Sequence, residues 1–389
     1  MVQTIEGDFI MFPFIIHIDQ VLEVIKDNDN FSVNQKDDYI VIDYILNTPD
    51  LFNNPIEKEC RGIIFDATTG ALLARRLHKF FNLNERPESS IDAVDLSEPH
   101  VILEKLDGSM ITPFMSNGKL TWGSKAGITF LTPQIEEFVS KNSLYHHFAN
   151  IWTEFGFTPI FEWCSRNNRI VIDYPEDRLV LIAMRKNDNG SYFPYEDLVA
   201  SASTFLIDVV EEYVGNARNM QELSDNIKGM QGLEGFVVRF NDGRMVKIKA
   251  DEYVRHHRAK DDLAREKNVV SILVNGQADD FKGLLSEIDL ARFEAFEVDF
   301  FKAIEQSVEE YEKIWNQNVG VSRKDFAIKS QAWFNSQMRA LVFTFFDDEE
   351  IQKDKVKEEI VNMIKRNTGS ATNLERARAL FGDIHWENY

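Results

Sequence analysis

The sequence predicts an α+β chain in two parts, a mixed α/β part over residues 1–257 and an all-α part over 258–389. Three observations predict it. A chain of 389 residues is long enough for two domains. Up to about residue 255, short apolar runs alternate with Asn/Asp/Gly turns, which is how strands read. Beyond about Arg258, apolar residues recur instead at helical spacing with Glu and Lys between them.

In chain order, Tyr39–Ile45, Arg61–Phe65, Val101–Leu103, Leu179–Met184 and Phe236–Phe240 read as strands. Asn-Asp-Asn-Gly (187–190) and Asn-Asp-Gly (241–243) are turn signals between strands. Gln134–Trp152 reads as one inserted helix opened by Thr132-Pro133, since proline suits the first helical turn. In the second part, Phe293, Phe296, Phe300, Ile304, Val308 and Tyr311 lie on one helical face. Such an aromatic stripe suits either RNA stacking or a core, and its period favours core. Lys324–Phe346 and Glu350–Lys365 read as helices too, and a Gly/Ser loop at Thr368–Ala371 precedes a last helix, Asn373–Phe381. Together these suggest a helical bundle.

The stretch with most chemistry is Glu-Lys-Leu-Asp-Gly-Ser (104–109). Lys105 ends an apolar run just before an Asp-Gly turn, so a strand could hold its amine rigidly at the rim of a pocket. A lysine that is desolvated or set beside other cations loses its proton and becomes a nucleophile. Lys-x-Asp-Gly alone arises by chance in roughly one chain in ten of this length, so its weight comes from what accompanies it. Glu162 sits inside the apolar run Pro-Ile-Phe-Glu-Trp (159–163), and Glu234-Gly235 opens the apolar run Phe236–Val238. Lys247 and Lys249 alternate with Ile248, which puts both amines on one face of a strand. Arg61-Gly62 opens Ile63-Ile64-Phe65. Each piece has a bland reading: strand glutamates usually face solvent, and alternating lysines often mark an exposed edge. All five in this order form a far more specific signal.

The order Arg-Gly, Lys-x-Asp-Gly, Phe-Glu, Glu-Gly, Lys-x-Lys resembles the covalent nucleotidyltransferases, which include ATP-dependent ligases and mRNA capping enzymes. The finer resemblance is to the ATP-dependent RNA ligases of T-even bacteriophages that act in tRNA repair. It is carried by Glu-Cys-Arg-Gly-Ile-Ile-Phe (59–65), Lys-Phe-Phe-Asn-Leu-Asn-Glu (79–85), Ser-Lys-Ala-Gly (124–127), Asn-Arg-Ile-Val (168–171) and Lys-Ile-Lys-Ala-Asp-Glu-Tyr-Val (247–254). It runs from about Tyr39 to His257 and more faintly beyond.

The resemblance implies a ligase-type nucleotidyltransferase domain of antiparallel sheets with flanking helices over 1–257. The helical 258–389 domain would set RNA specificity. It implies ATP and Mg²⁺ (or Mn²⁺), a lysyl-AMP intermediate, and sealing of RNA 5′-phosphate to 3′-hydroxyl ends. Lys105 would be the nucleophile, Asp107 would orient its amine, and Gly108 would permit the turn. Lys247 and Lys249 would depress the pKa of Lys105 and hold phosphate oxygens. Arg61 would contact phosphate or ribose, Glu162 the ribose, and Glu234 the lysine or the metal's water shell; Glu162 and Glu234 are the candidate metal carboxylates. Tyr44, Lys79, Lys125 and Tyr253 match nucleotide-pocket positions, with packing as the alternative. Gly123 stands where the phage pattern has a lysine, so one cation is missing. Nicked tRNA, a kinase–phosphatase that heals RNA ends, a monomer and a cytoplasmic setting (host cytoplasm for a virus) complete what it implies.

Composition excludes other classes. No apolar run is long enough to span a membrane, and Met1–Asp8 lacks a basic region followed by an apolar core. With only Cys60 and Cys164, a disulfide framework or thiolate metal site is not expected, and Cys60, beside Arg61, reads as an inert buried thiol in preference to a pocket-lining one. His256-His257 read as surface or RNA-facing residues rather than metal ligands. A net charge of −21 argues against general nucleic-acid binding, which needs cations to release counterions. The acidic surplus falls largely in Ser286–Glu312 and Asp347–Glu359. Arg75, Arg76, Lys79, Lys105, Lys125, Lys247, Lys249, Arg255 and Arg258 would form a basic cleft on an acidic body. A DNA ligase or GTP-using capping enzyme is the alternative within the superfamily. Those typically follow Lys-x-Lys with a β-barrel, whereas this chain continues into acidic helices. A degenerate module that only binds RNA ends is disfavoured, because the nucleophile and both carboxylates are present.

Overall fold

The computed structural model describes residues 12–333, 341, 343–346, 350–382 and 384–389. Met1–Asp8, residues 334–340 and 342 of the expected Lys324–Phe346 helix, and residues 347–349 of the acidic segment lie outside the described residues. The chain divides into two compact units, Met1–Val254 and Arg255–Tyr389.

The described strands of the first unit are β1 (Phe31–Gln35), β2 (Tyr39–Tyr44), β3 (Arg61–Asp66), β4 (Leu72–Ala74), β5 (Phe81–Asn82), β6 (His100–Lys105), β7 (Ser109–Ser116), β8 (Lys119–Ser124), β9 (Phe157–Cys164), β10 (Arg178–Lys186), β11 (Gly235–Phe240) and β12 (Met245–Lys249). They form three four-stranded sheets ordered β1-β2-β3-β4, β10-β9-β7-β8 and β5-β12-β11-β6. Every pairing is antiparallel except the short parallel contact of β5 with β12. The expected strands are all present, because each apolar run is bounded by turn residues on both sides. Asn241-Asp242-Gly243 makes the β11–β12 hairpin.

One expected element differs. The single helix over Gln134–Trp152 is two, Thr132–Lys141 and Ser143–Glu154, broken at Asn142, whose φ of −125° and ψ of 66° are not helical. The Asn142 side chain donates to the Phe138 carbonyl at 2.8 Å. Asparagine readily makes such local bonds in competition with the helix. The two helices bury Ile135, Val139, Tyr145 and Phe148 with Trp122, Phe161 and Leu181 of the second sheet. Helix Met220–Lys228 buries Met220, Leu223 and Ile227 against Phe236, Val238 and Ile248 of the third.

Two arginines expected in the basic cleft belong instead to the interior: Arg75 is 0% and Arg76 2% exposed. Arg75 and Arg185 both clamp buried Glu59, with N–O distances of 2.9 and 2.8 Å. Guanidinium forks match carboxylate geometry, so a charge triad can survive burial here where isolated charges could not. Glu59 ends helix Pro55–Glu59 and precedes β3, so the clamp fixes the position from which Arg61 departs. Between them, Cys60 is buried and its thiol donates to the Ile56 carbonyl, with burial pushing its pKa well above the usual range.

In the second unit, helix Glu287–Asn316 starts at Ser286, whose hydroxyl accepts from the Asp289 amide. Its Phe293, Phe296, Phe300, Ile304, Val308 and Tyr311 are all buried, so the stripe is core. They share that core with Ile360 and Ile364 of helix Lys353–Asn367, and with Phe381. The expected last helix is Ala371–Ala377, followed by a 3₁₀ turn at Arg378–Leu380. Trp386 is tied back by its indole N–H to the Leu263 carbonyl at 2.6 Å, beneath the Arg292 guanidinium.

Glu59→Ala leaves two buried guanidiniums without a counter-charge and should cost about 3–5 kcal/mol, read as a lowered urea midpoint. A midpoint equal to wild type would show the triad to be expendable. The clamp lowers the Glu59 carboxyl from 4.5 to about 2, against a burial effect that alone would raise it. Its stabilisation is therefore present above pH 4.5 and lost as pH falls toward 2; Glu59→Gln should flatten that part of the acid-unfolding curve.

Candidate active site

The site is built on the register of the third sheet. Gly235 of β11 stands opposite Lys105 of β6 on one side and Lys249 of β12 on the other. Its φ is +148°, and a Cβ there would lie 2.0 Å from the Ile248 carbonyl oxygen, so only glycine fits. Glu234, one residue earlier and 4% exposed, thereby reaches both amines: Oε2 is 2.7 Å from Lys105 Nζ and Oε1 is 2.9 Å from Lys249 Nζ. Lys247 shares the face of Lys249, while Ile248 is buried on the other.

These groups meet at a cavity of about 600 Å³. Arg61, Lys105, Lys125, Glu162, Lys247 and Lys249 line its polar part; Leu77, Phe80, Met110, Ile182, Ala183 and Val237 line an apolar part. The cations crowd one another. Burial first, then Arg61, Lys105 and Lys79, push the Lys247 ammonium down from 10.5 to about 7. Burial also raises the Glu162 carboxyl to about 7, with Lys105 opposing and Glu234 reinforcing the rise. Arg61 keeps one buried guanidinium nitrogen, Nη1, without a hydrogen-bond partner, a donor left unsatisfied beside the cavity that Arg61 lines.

Of the other expected residues, Gly108 also lines the cavity, whereas Tyr44, Lys79, Asp107, Glu234 and Tyr253 are not part of its lining. Lys125 Nζ lies 3.0 Å from Asp43 and 3.9 Å from the Tyr44 ring centroid, and Lys79 Nζ lies 4.8 Å from the same ring. Burial would raise the Tyr44 phenol, but Lys125, Lys79 and Arg61 outweigh it and its pKa is lowered. Asp107 turns away from the amine it was expected to orient. Its Oδ2 accepts from the amides of Val171 and Ile172, both at 2.7 Å, and its Oδ1 accepts from the Tyr253 hydroxyl at 2.7 Å. Asp107 thus ties the turn after Lys105 to the 171–172 loop and to Tyr253, whose ring lies under Lys249. Gly108 lets this turn sit close to β9, since a Cβ would lie 2.4 Å from the Trp163 carbonyl oxygen. Gly123 is buried, and a Cβ there would meet the Phe114 ring at 2.8 Å, so that position faces packing rather than the cavity.

Sequence reasoning missed Asn168 and Phe130, which also line the cavity. Asn168 donates to the Ser109 hydroxyl at 2.9 Å; the signal was its place in Asn-Arg-Ile-Val. Phe130 is 77% exposed, and nothing in its neighbourhood of sequence marks it.

Residues 59–253 match the family described as RNA ligase, and residues 260–372 match that described as T4 RNA ligase 1, C-terminal domain. A Thermovibrio ammonificans protein provisionally named an RNA ligase is 31% identical over 279 residues, 68% of this chain and 70% of that protein. An Autographa californica nuclear polyhedrosis virus protein, provisionally named a bifunctional polynucleotide kinase/RNA ligase, is 28% identical over 287 residues, 67% of this chain and 40% of its own length. RNA ligase 1 of bacteriophage TS2126 is 25% identical over 209 residues, 51% of either chain. The matched stretch is therefore less than two thirds of the viral and phage proteins.

The crowding of Lys247 sets a test with inorganic pyrophosphate. An anion favours the charged amine, so wild type should outbind Lys247→Met most below pH 7, where Lys247 is charged in the free protein. The affinity ratio should shrink as pH rises beyond that. A ratio in calorimetry that stays constant across this range would remove Lys247 from the anion's surroundings.

Proposed function

This chain belongs to the RNA ligase family, and from that premise we propose that it is an ATP-dependent enzyme sealing RNA 5′-phosphate to 3′-hydroxyl ends through a lysyl-AMP intermediate. The observation that carries the proposal is the register that sets Lys105, Glu234 and Lys249 side by side at a cation-lined cavity.

The reaction has three in-line displacements at phosphorus. Lys105 Nζ forms a bond to the α-phosphorus of ATP as the bond to pyrophosphate breaks. The AMP passes to the RNA 5′-phosphate, giving a 5′-5′ pyrophosphate and freeing the lysine. The 3′-hydroxyl then forms the phosphodiester and releases AMP. Such chemistry asks the protein mainly for positioning and charge neutralisation. Glu234 holds the Lys105 amine at the end of β6, and the attacking amine must first give up its proton and leave that ion pair. Lys247 and Lys249 meet phosphate oxygens, and the unpartnered Arg61 nitrogen receives phosphate or ribose oxygen. Lys125, Lys79 and Tyr44 take the far end of the triphosphate, while the apolar part of the cavity suits a base. Asp107, Gly108 and Tyr253 shape the turn that presents Lys105.

Mg²⁺ or Mn²⁺ would supply charge neutralisation on the phosphates and needs few carboxylates, since Mg²⁺ keeps several waters. Glu162 fits it best, as a carboxyl at the cavity whose raised pKa a cation would relieve. Glu234 would contribute through water, both its oxygens already facing lysines.

We further propose residues 1–257 as the adenylyltransferase domain and 258–389 as the part that selects RNA, with nicked tRNA as substrate. The kinase named in the viral relative supports partnership with an enzyme that heals RNA ends. Among the described residues no helix is long and apolar enough to cross a membrane; action as a monomer in the cytoplasm, host cytoplasm for a virus, is part of the same reading.

Intact mass after incubation with ATP and Mg²⁺, beside GTP, tests the reading: one AMP should be added at Lys105 and removed by pyrophosphate. A GMP adduct instead would move the reading to capping. Lys105→Ala should lose self-adenylylation entirely while still sealing pre-adenylylated RNA, because the last displacement needs no lysine adduct. ATP-dependent sealing by that variant would end the assignment of Lys105.

A further inference from the structure

Arg76 is a buried cation whose hydrogen bonds all go to neutral groups. Its Nε donates to the Thr112 hydroxyl at 2.8 Å. Its Nη1 donates to the carbonyls of Gly62 and of Lys125, the latter at 3.1 Å, and its Nη2 donates to the carbonyl of Gly123 at 3.3 Å. Neighbouring Arg75, by contrast, has the Glu59 carboxylate in direct contact. A charge buried this way is expensive. Burial alone would lower the pKa of Arg76 far, and with partial relief from Asp43 it still stands at about 9. Features that break a folding rule without local compensation tend to serve a site.

What Arg76 joins explains its presence. Gly62 belongs to β3 in the first sheet, whereas Thr112 and Gly123 belong to β7 and β8 in the second. The carbonyls it binds flank the two cations that wall the cavity: Gly62 follows Arg61, and the third carbonyl is that of Lys125 itself. The seam is tight, since a Cβ on Gly62 would lie 2.4 Å from the Lys125 carbonyl oxygen and 2.6 Å from Arg76 Nη1. Arg61 and Lys125 both act on Asp43 and Tyr44, so their separation is set where Arg76 grips the backbone.

We infer that Arg76 is a positioning residue that staples two sheets so that Arg61 and Lys125 face one bound triphosphate together. This rests on the reading of the cavity as the ATP site. The guanidinium fork is required because one group must reach carbonyls on separate strands; an ammonium is a single point of charge and cannot hold that spread.

The test uses full-length protein and reads ATP affinity by calorimetry beside thermal melting. Arg76→Lys keeps the charge and should melt near wild type, yet bind ATP about tenfold more weakly, since small misplacements at such sites are costly. In self-adenylylation the same variant should raise KM for ATP with a smaller change in kcat. Arg76→Met, of similar length without donors, should bind no better than Arg76→Lys. A folded Arg76→Lys that binds ATP within about twofold of wild type would overturn the inference, whatever its melting temperature. If both variants fail to fold, Thr112→Val decides: it removes only the hydroxyl that receives Nε and should weaken ATP binding about threefold, and unchanged affinity overturns the inference. Wild-type protein that binds ATP but forms no lysyl-AMP would refute the ligase reading and leave this comparison standing. Wild-type protein that does not bind ATP would overturn both.

Discussion

Gly235 has no room for a side chain, and the arrangement of the cavity follows from that. It sits in an inner strand of the third sheet with Lys105 on one flank and Lys249 on the other. Because strands carry residues to alternate faces, this register also settles where Lys247 points and which carboxylate, Glu234, is presented to both amines. A slip of one residue would turn the lysines into the packed face now filled by Phe236, Val238 and Ile248. The nucleophile candidate, its counter-charge and two further cations are thus one consequence of backbone pairing rather than separately placed side chains.

Buried charge does a second job around that register. Glu59 with Arg75 and Arg185 anchors the segment leading into β3, and Arg76 closes the seam beside it. Interior ion pairs seldom add stability over an apolar core, and their better-attested use is to specify geometry. Here the geometry concerns the cationic wall of the cavity. The chain can carry a net charge of −21 and still concentrate Arg61, Lys125, Lys247 and Lys249 on the lining of one cavity. A low-dielectric recess makes those few charges count for more than many on the open surface.

Much of this was legible in the residues. Short apolar runs between turn residues marked the strands, and the alternation Lys247-Ile248-Lys249 told which face the amines share. The helical period of Phe293 to Tyr311 told core from stacking surface. What was illegible depended on distant partners. Arg75 and Arg76 read as cleft cations because nothing local announces that Glu59 and the carbonyls of Gly62, Gly123 and Lys125 wait for them. Asp107 read as a partner of the lysine two residues away, whereas its bonds go to Val171, Ile172 and Tyr253. The break at Asn142 had a local cause, a side chain that competes with the helix, and the apolar spacing on either side masked it.

The third sheet also carries a consequence for how the protein comes into being. Its strands β5 and β6 pair with β11 and β12, and the whole second sheet, with its helices, lies between them in the chain. Closing so long a loop is slow compared with forming hairpins and helices. The contacts that assemble the cavity therefore form after the intervening sheet has organised itself. During synthesis, residues 245–249 must leave the ribosome before the cavity can be completed. A nascent or truncated chain ending short of them has the Lys-x-Asp-Gly turn but lacks Lys247 and Lys249, so Lys105 stays without its neighbouring cations until the domain around it is whole.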